Sequence, residues 1–218
     1  MKTAKLFIAL IAAGVISAPN AQAQVRITEW MYTGAPGEFI EFTNLGPAAI
    51  DLTGWSFDDN SRLPGSVNLT ALGNVNPGES VVITEATATT FRSAWSLALT
   101  VKVLGGVVDN IGRSDEINLY DSANTLVDRL TYGDEVFAGT IRTQNISGRP
   151  NGPASIGVNN PALWSLSSVG DIENSYANLS GVVGSPGTSI AAVPEPGVYG
   201  LMLAGLALVS SLARRRLG

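Results

Sequence analysis

The sequence predicts an all-β sandwich, and three of its features support that fold. Short runs alternate apolar and polar residues, clusters of Gly, Pro, Asn and Asp separate these runs, and 45% of the 218 residues are hydrophobic. Alternation with a period of two is typical of strands that bury one face, and regularly spaced turns are typical of sandwiches. A chain of this length forms one domain or at most two, and one sandwich accounts for the predicted strands.

The densest hydrophobic pattern lies in residues 38–57 and predicts two strands joined by a turn. In its first half, Ile40 and Phe42 alternate with Glu41 and Thr43. Because successive side chains of a strand point to opposite faces, we expect the two apolar residues on a buried face and the two polar residues on the other. This half is therefore predicted to be a half-buried antiparallel strand.

The second half of this stretch follows turn-forming residues at 44–47, where Gly and Pro favour a tight reversal. Its large apolar residues are Ile50, Leu52, Trp55 and Phe57. The first two positions are even and the last two are odd, so one face can hold all four only if an extra residue is absorbed near Thr53 and Gly54. We therefore expect a bent strand at that point.

Other elements follow from local patterns along the chain. Val25–Met31 predicts a first strand, with Val25, Ile27 and Met31 on one face. The later predicted elements are a strand over 80–84, a short helix over 87–95 with Phe91 and Trp95 on one face, a strand over 100–104, and a hairpin of strands 116–120 and 126–133. Residues 139–187 are rich in Asn, Gly, Ser and Pro, which favours loops and short edge strands.

Several of these segments resemble the lamin tail domain. The motifs are E-F-I-E-F-T-N at 38–44, D-L-T-G-W-S-F at 51–57, S-D-E-I-N-L-Y-D at 114–121 and L-V-D-R-L-T-Y-G at 126–133. That family is an immunoglobulin-like β-sandwich of nuclear lamins and of many secreted bacterial proteins. The resemblance, which spans about residues 25–188, implies the same fold for a domain over 24–190.

The first 23 residues predict a signal peptide. Lys2 and Lys5 precede an apolar run, and small residues stand at the cleavage positions Ala21 and Ala23. An uncleaved anchor helix is the alternative, but the apolar run is shorter than the roughly 20 residues that a membrane span requires. We therefore expect secretion.

The last segment, residues 191–218, has three parts in a fixed order. Pro194, Glu195 and Pro196 come first, an apolar run over 198–213 follows, and Arg214, Arg215 and Arg216 come last. The apolar run is expected to enter the bilayer as a transmembrane helix, while the arginines remain on the cytoplasmic side and leave the preceding domain facing outward. By itself this pattern predicts a C-terminal anchor.

The order of the three parts resembles the PEP-CTERM sorting signal of Gram-negative bacteria. The resemblance implies that a membrane protease of the exosortase type cuts near the Pro-Glu-Pro element. It also implies export to the cell envelope, cell surface or extracellular matrix, with the C-terminal helix anchoring the protein in the membrane only until it is cut.

The charge of the mature region argues against nucleic acid as a partner. Residues 24–193 contain 8 Lys and Arg against 17 Asp and Glu, a formal charge of −9. That charge favours solubility and repels phosphate backbones. The chain has no cysteine, so stability must come from the core rather than from disulfides, although an exported protein could form them.

The composition also restricts catalysis. With no His and no Cys, the chain cannot form a Ser-His-Asp or Cys-His nucleophile or a His- or Cys-ligated zinc site. Lys102, in the predicted strand over 100–104, is the lysine that a Ser-Lys dyad would need, but no S-x-x-K motif lies nearby. Three adjacent acidic pairs remain as candidates for glycosidase-type chemistry: Asp58 with Asp59, Asp115 with Glu116, and Asp134 with Glu135.

Asp58 and Asp59 are also candidate ligands for Ca²⁺, because the loop that follows them offers the oxygen donors that this ion prefers. No D-x-D-x-D-G motif is present, so a solvated turn is the plainer interpretation. Asp128 shares the parity of Leu130 and Tyr132, which predicts a buried carboxylate that needs backbone N–H groups or an Arg as partners. Trp55 could stack on a carbohydrate, but its place in the strand pattern favours core packing.

Taken together, these features predict a secreted, non-catalytic β-sandwich that an exosortase-type system sorts to the cell surface or exopolysaccharide matrix. Its role there would be structural or one of interaction, as in a biofilm. Its predicted parts are a signal peptide (1–23), the domain (24–190) and the sorting signal (191–218). Its predicted partners are the sorting protease, and exopolysaccharide or surface proteins. No cofactor is required by this prediction. The alternatives are a carbohydrate-active enzyme that uses carboxylates and a calcium-dependent adhesin.

Overall fold

The computed structural model describes residues 25–190 and Leu206. The predicted signal peptide and, apart from Leu206, the predicted C-terminal helix lie outside the described residues. Among the described residues, no helix has the length and apolar character needed to cross a membrane.

The described chain consists mainly of short strands. The elements are β1 Val25–Met31, β2 Phe39–Asn44, β3 Ile50–Asp51, β4 Ser56–Asp58, β5 Val67–Asn68, β6 Asn74–Val75, β7 Ser80–Thr84, α1 Ala88–Ala94, β8 Lys102–Gly105, β9 Asp115–Tyr120, β10 Leu126–Tyr132, β11 Gly148–Pro150, β12 Trp164–Leu166, β13 Tyr176–Ala177 and β14 Val183–Gly184. Three 3-10 turns, at Thr70–Leu72, Pro153–Ser155 and Pro161–Leu163, complete the set.

Two sheets form the sandwich. The larger has the order β12-β11-β1-β2-β7-β8, and the smaller has the order β10-β9-β4-β5. The pairs are antiparallel except β7 with β8, which is parallel. A core of buried aliphatic and aromatic side chains, among them Phe42, Phe57 and Leu119, lies between the sheets. This architecture confirms the predicted all-β sandwich.

Elements that depend on local sequence agree with the prediction. The first strand and the strand Ser80–Thr84 have the predicted bounds, and β9 and β10 pair as the predicted hairpin. Helix α1 begins after Thr87, whose hydroxyl accepts a hydrogen bond from the Thr90 N–H. Phe91 and Trp95 are fully buried on one side of it, as the i, i+4 spacing predicts.

The prediction that residues 38–57 form a hairpin is wrong. Strand β2 pairs with β1 and β7, whereas the returning chain pairs elsewhere: β3 with β6, and β4 within the smaller sheet. The chain crosses between sheets at a turn in which the Trp55 N–H donates to the Leu52 carbonyl, and Gly54 has φ +78°. The break near Thr53 and Gly54 is thus present, but as a tight turn between two sheets rather than a bulge within one strand.

Strand β1 contains a register shift between Ile27 and Glu29, which the alternating pattern did not predict. The extra residue changes which side chains share a face. Val25 and Ile27 join Trp30 in the core between the sheets, whereas Met31 lies in a second apolar cluster with Phe91 and Trp95. The prediction that Met31 shares a face with Val25 and Ile27 is therefore wrong.

Strand β2 is buried on both faces, because α1 and a segment near the C-terminus of the domain cover the side that faces away from the smaller sheet. We call that segment, residues 185–190, the strap. Glu41 and Thr43 are completely buried, contrary to the prediction of a half-buried strand, and Glu41 lies beneath the strap. Glu41 accepts hydrogen bonds from the Thr28 hydroxyl at 2.6 Å and the Gly187 N–H at 2.7 Å.

Glu29 lies directly opposite Glu41 on the neighbouring strand and is also buried. Burial raises the pKa of both carboxyls, and the proximity of Glu29 raises the pKa of Glu41 further. Two adjacent carboxylates in a site of low dielectric cannot both ionise without a large cost. The folded domain therefore holds at least one proton in this pair at pH values where the unfolded chain has released it.

This pair predicts that stability declines as pH rises. Above the ordinary glutamate pKa of 4.5 the unfolded chain is ionised while the folded pair is still protonated, so unfolding releases protons and the free energy of unfolding falls toward neutral pH. Each unit of raised pKa contributes about 1.4 kcal/mol. Urea denaturation of residues 24–190 between pH 5 and 8 should show this slope. Glu29→Gln should make it shallower, with the remainder coming from other buried acids such as Glu38, and the exposed Glu135→Gln should leave it unchanged. Parallel curves for all three proteins would contradict the prediction.

Asp128 and Trp55 occupy the positions that their patterns predict. Asp128 is buried, and its carboxylate accepts the Ile27 and Arg129 N–H groups, each at 2.9 Å. Trp55 is 5% exposed and packs in the core between the sheets. Its packing there favours a structural role over carbohydrate stacking.

We expect Trp55→Ala to lower the free energy of unfolding by about 3 to 5 kcal/mol, because it leaves a large cavity in a well-packed core. That loss is a large part of the roughly 5 to 15 kcal/mol that stabilises a domain. Thermal unfolding measures it, with Leu99→Ala as a control because Leu99 is 91% exposed. A melting temperature close to that of the wild type would show that Trp55 does not anchor the core.

Candidate functional site

Two of the three acidic pairs singled out in the sequence have carboxylates engaged by arginine. Arg62 makes a bidentate ion pair with Glu116 at 2.6 and 2.7 Å, and this contact lowers the pKa of Glu116 to about 2. Arg113 binds Asp134 at 2.7 Å and Glu135 at 3.2 Å, and it holds the pKa of Asp134 below its usual range. The lowered pKa values of Glu116 and Asp134 disfavour a role for either as a general acid.

The third pair, Asp58 and Asp59, lies where β4 ends and a tight loop begins. Asp58 is buried and accepts the Leu63 N–H at 2.7 Å and the Ser61 hydroxyl at 2.9 Å. Asp59 accepts the Ser61 N–H at 2.9 Å, and its carbonyl accepts the Asn118 side-chain amide. The loop thus fixes both aspartates by local hydrogen bonds that short polar side chains make readily.

Asp109, from the loop after β8, completes a cluster of three carboxylates. One oxygen each of Asp58, Asp59 and Asp109 lies within 4.8 Å of the others. The Oδ2 atom of Asp109 is buried and has no hydrogen-bond partner among the described residues. Burial raises the pKa of Asp109, and the charges of Asp59 and Asp58 raise it further. The cluster is therefore an electrostatically unfavourable concentration of negative charge.

Two further acids position the loop that carries Asp109. Glu38 accepts the Ile111 N–H at 3.0 Å, and Asp115 accepts the Gly112 N–H at 2.7 Å. Burial raises the pKa of Glu38 to about 8 and also raises the pKa of Asp115. Within residues 25–190, no Lys or Arg makes an ion pair with these two acids or with the three clustered aspartates.

This arrangement suits a hard cation better than hydrolytic chemistry. Ca²⁺ binds oxygens at about 2.4 Å, so ligands on opposite sides of the ion are about 4.8 Å apart, which the three aspartates can satisfy. A glycosidase needs its two carboxyls to flank a sugar ring. The cavity lined by Glu38 and Asp109 is only about 10 Å³, which is close to the volume for one water molecule.

Lys102 forms an ion pair with Glu79. Its ammonium group lies 2.8 Å from a Glu79 carboxylate oxygen and also donates to the Asn74 carbonyl. A Ser-Lys dyad needs its amine beside a serine hydroxyl, whereas the Lys102 side chain contacts a carboxylate and a backbone carbonyl. The geometry therefore does not favour a Ser-Lys nucleophile at this position.

The sequence indicated Asp58 and Asp59 as candidate ligands but did not indicate Asp109. Asp109 stands in V-V-D-N-I-G, which contains no ligand motif, and fifty residues separate it from Asp59. Only the fold brings β4 and the loop after β8 together. The predicted cleavage residues Ala21 and Ala23, and the sorting residues Pro194, Glu195, Pro196 and Arg214, Arg215 and Arg216, lie outside the described residues.

Two family models match the chain. The model of the PEP-CTERM protein-sorting motif matches residues 192–216 and indicates a surface protein that an exosortase sorts to the envelope of a Gram-negative bacterium. The model of the Lamin Tail Domain matches residues 18–134. Neither is an enzymatic domain type. A search of curated proteins and a search of solved structures found no match. Because the Lamin Tail Domain model covers more than half of the 218 residues, the chain belongs to the lamin tail domain family.

Proposed function

We propose that this protein is an exported surface or matrix component whose β-sandwich has a non-catalytic structural or interaction role after its C-terminal tail has been cut. The observation that carries the proposal is the sorting motif at residues 192–216, which follows directly on the folded domain. The signal peptide over 1–23 and the sorting signal over 191–218 would flank a mature domain over 24–190. Exosortase would be the processing partner, and exopolysaccharide or other surface proteins would be the lasting ones.

The charge of the domain supports this assignment. Its formal charge of −9 favours solubility outside the cell and disfavours phosphate-rich partners. Immunoglobulin-like sandwiches carry their binding surfaces mainly on loops, so the ligand is set by loop chemistry rather than by the fold. In this chain, the loops at Asp58 and Asp109 bring three carboxylates within 4.8 Å of one another.

Processing is tested by changing the Pro-Glu-Pro element. Pro194 and Pro196 disfavour helix on the outer side of the apolar run, which leaves the peptide around Glu195 suited to cleavage. We expect Pro194→Ala with Glu195→Ala to leave the protein exported but retained in the membrane at full length. Wild-type protein should be shortened and released. Mass spectrometry of the C-terminal peptide, in a host that contains the sorting enzyme, distinguishes these outcomes.

A matched control is Ser210→Ala with Ser211→Ala, which changes two residues of the same tail but leaves the Pro-Glu-Pro element and the charge intact. This variant should be processed like the wild type. Replacing Arg214, Arg215 and Arg216 should instead let the tail cross the membrane uncut, because the positive charges that fix its orientation are gone. Wild-type protein that still ends in Gly218 at the cell surface would show that the tail is a simple anchor.

A second candidate function, calcium-dependent adhesion, is favoured by one observation. Asp58, Asp59 and Asp109 converge within 4.8 Å, and a buried oxygen of Asp109 has no hydrogen-bond partner within the part of the chain that the structure describes. Backbone carbonyls and water would supply the remaining ligands of a calcium ion. A bound ion would rigidify the two loops and supply the positive charge that the cluster lacks.

Calcium binding predicts a shift in melting temperature. An ion at a hundredfold excess over its Kd stabilises a domain by about 2.7 kcal/mol, which corresponds to roughly 5 °C or more at this size. Asp109→Asn should abolish the shift, whereas Asp121→Asn in the β9–β10 turn should keep it. In calcium-free buffer Asp109→Asn should be at least as stable as wild type, because it removes like-charge repulsion. An equal calcium response in wild type and Asp109→Asn would exclude the cluster as the site.

A further inference from the structure

The strap is held on the larger sheet by three buried glutamates from three different parts of the chain. The Ser185 N–H donates to Glu29 of β1 at 2.8 Å, the Gly187 N–H to Glu41 of β2 at 2.7 Å, and the Ile190 N–H to Glu173 at 2.6 Å. All three glutamates are at most 8% exposed. Three backbone amides of the strap are thus fixed by buried acidic side chains.

The strap begins with a tight turn over residues 185–188 that packs against Val101. The Thr188 N–H donates to the Ser185 carbonyl at 3.2 Å, with Pro186 and Gly187 between them. Gly187 has φ +93°, and a Cβ atom there would lie 2.9 Å from the Val101 side chain. Both the backbone conformation and the close approach to Val101 therefore require glycine.

Packing on the other side of the strap is looser. A cleft of about 250 Å³ lies there, lined by Glu79, Thr100, Val101 and Thr188 among others. The side chains of Thr188 and Ile190 are exposed. Because solvent reaches this side, the bonds to the three glutamates and the fit of Gly187 contribute strongly to holding the strap in place.

The strap ends just before the sorting signal. The matched motif begins at residue 192, Glu195 lies five residues after Ile190, and the apolar run begins at Val198. Five residues of fully extended chain span at most about 17 Å. Few residues of chain therefore separate the strap from the proposed cleavage region.

We propose that the strap is a folding-dependent shield, which makes the chain resistant to cleavage as far as Ile190 and so confines the sorting cut to residues 191–197. Proteases act on segments that are exposed or transiently unfolded, and a segment held by buried acceptors opens only when those bonds break. Folding of the domain would thus define the upstream limit of the cut, and membrane insertion from Val198 would define the downstream limit. The identity of the cutting enzyme rests on the proposed function, but the shield does not.

The shield is tested on the full-length protein in detergent, with two readouts: hydrogen exchange of the peptide that contains the strap, and the position of the first cut made near the C-terminus by a broad-specificity protease. In wild type, the Gly187 and Ile190 amides should exchange slowly, and the first cut should fall after Ile190. Gly187→Ala and Glu173→Ala should each speed exchange of the strap by about tenfold or more and move the first cut upstream.

Two matched variants control for side effects. Gly139→Ala also places alanine at a positive φ, +85°, but its Cβ would meet nothing within 4 Å. Glu173→Gln keeps an oxygen that can accept the Ile190 N–H. Both should retain a protected strap. If Gly187→Ala fails to fold, the result for Glu173→Ala decides. Glu173 lies outside the strands of the larger sheet, so its replacement should leave that sheet folded.

The same variants in the sorting host separate this inference from the proposed function. Wild-type protein found uncut would overturn the proposed processing, while the protease readout still decides the shield. A wild-type end upstream of Ile190 would overturn the shield, as would cut positions that do not change in Gly187→Ala and Glu173→Ala. Ends confined to residues 191–197 in wild type, and spread upstream in both variants, would support it.

Discussion

Burial of β2 on both faces is the constraint on which the rest of the structure depends. This strand lies between β1 and β7 in the larger sheet, and all six of its residues are buried. The smaller sheet covers one face. The other face needs α1, whose Phe91 packs on Phe39, and the strap, which covers Glu41. The family match ends at residue 134, yet the strap that covers this sheet comes from beyond it.

Buried carboxylates are used in two distinct ways. Asp128, Glu29 and Glu41 accept backbone N–H groups from segments distant in the chain, so they link loops and strands that have no ladder between them. Hydrogen bonds to charged or partly charged acceptors are stronger than neutral ones, which offsets part of the cost of burial. The cluster at Asp58, Asp59 and Asp109 differs, because Asp58 and Asp59 accept hydrogen bonds from their own loop and three carboxylates from two loops converge within 4.8 Å. That difference is why we treat the cluster as a candidate site and the first group as structural.

The sequence predicted those features that depend on neighbours within a few residues. The strands at Val25–Met31 and Ser80–Thr84, the capped helix at Ala88–Ala94 and the β9–β10 hairpin all follow from local periodicity and turn chemistry. Parity correctly predicted that Asp128 is buried and hydrogen-bonded. Long-range features could not be predicted in this way. The hydrophobic pattern of β2 does not reveal that its partners are β1 and β7, nor that Glu41 on its polar face is covered by Gly187, 146 positions later.

The same limit applies to the candidate site. A turn pattern located Asp58 and Asp59, but Asp109 joins them only through the packing of two sheets. Register shifts are a further cause of error, because the single extra residue near Thr28 transfers Met31 to the opposite face. The family resemblance supplied the overall fold, which local patterns alone left at the level of an all-β sandwich.

A hydrogen bond between Ser185 and Glu29 joins the two ends of the domain. Glu29 belongs to the first strand after the predicted signal peptide, and Ser185, its partner, belongs to the strap just before the sorting motif. The part of the outer face of β1 and β2 that the strap covers therefore stays open until residues 185–190 are available to the domain. The apolar run begins only eight residues after Ile190. Under the export proposed above, the order of the chain would therefore link completion of the fold to the arrival of the sorting signal.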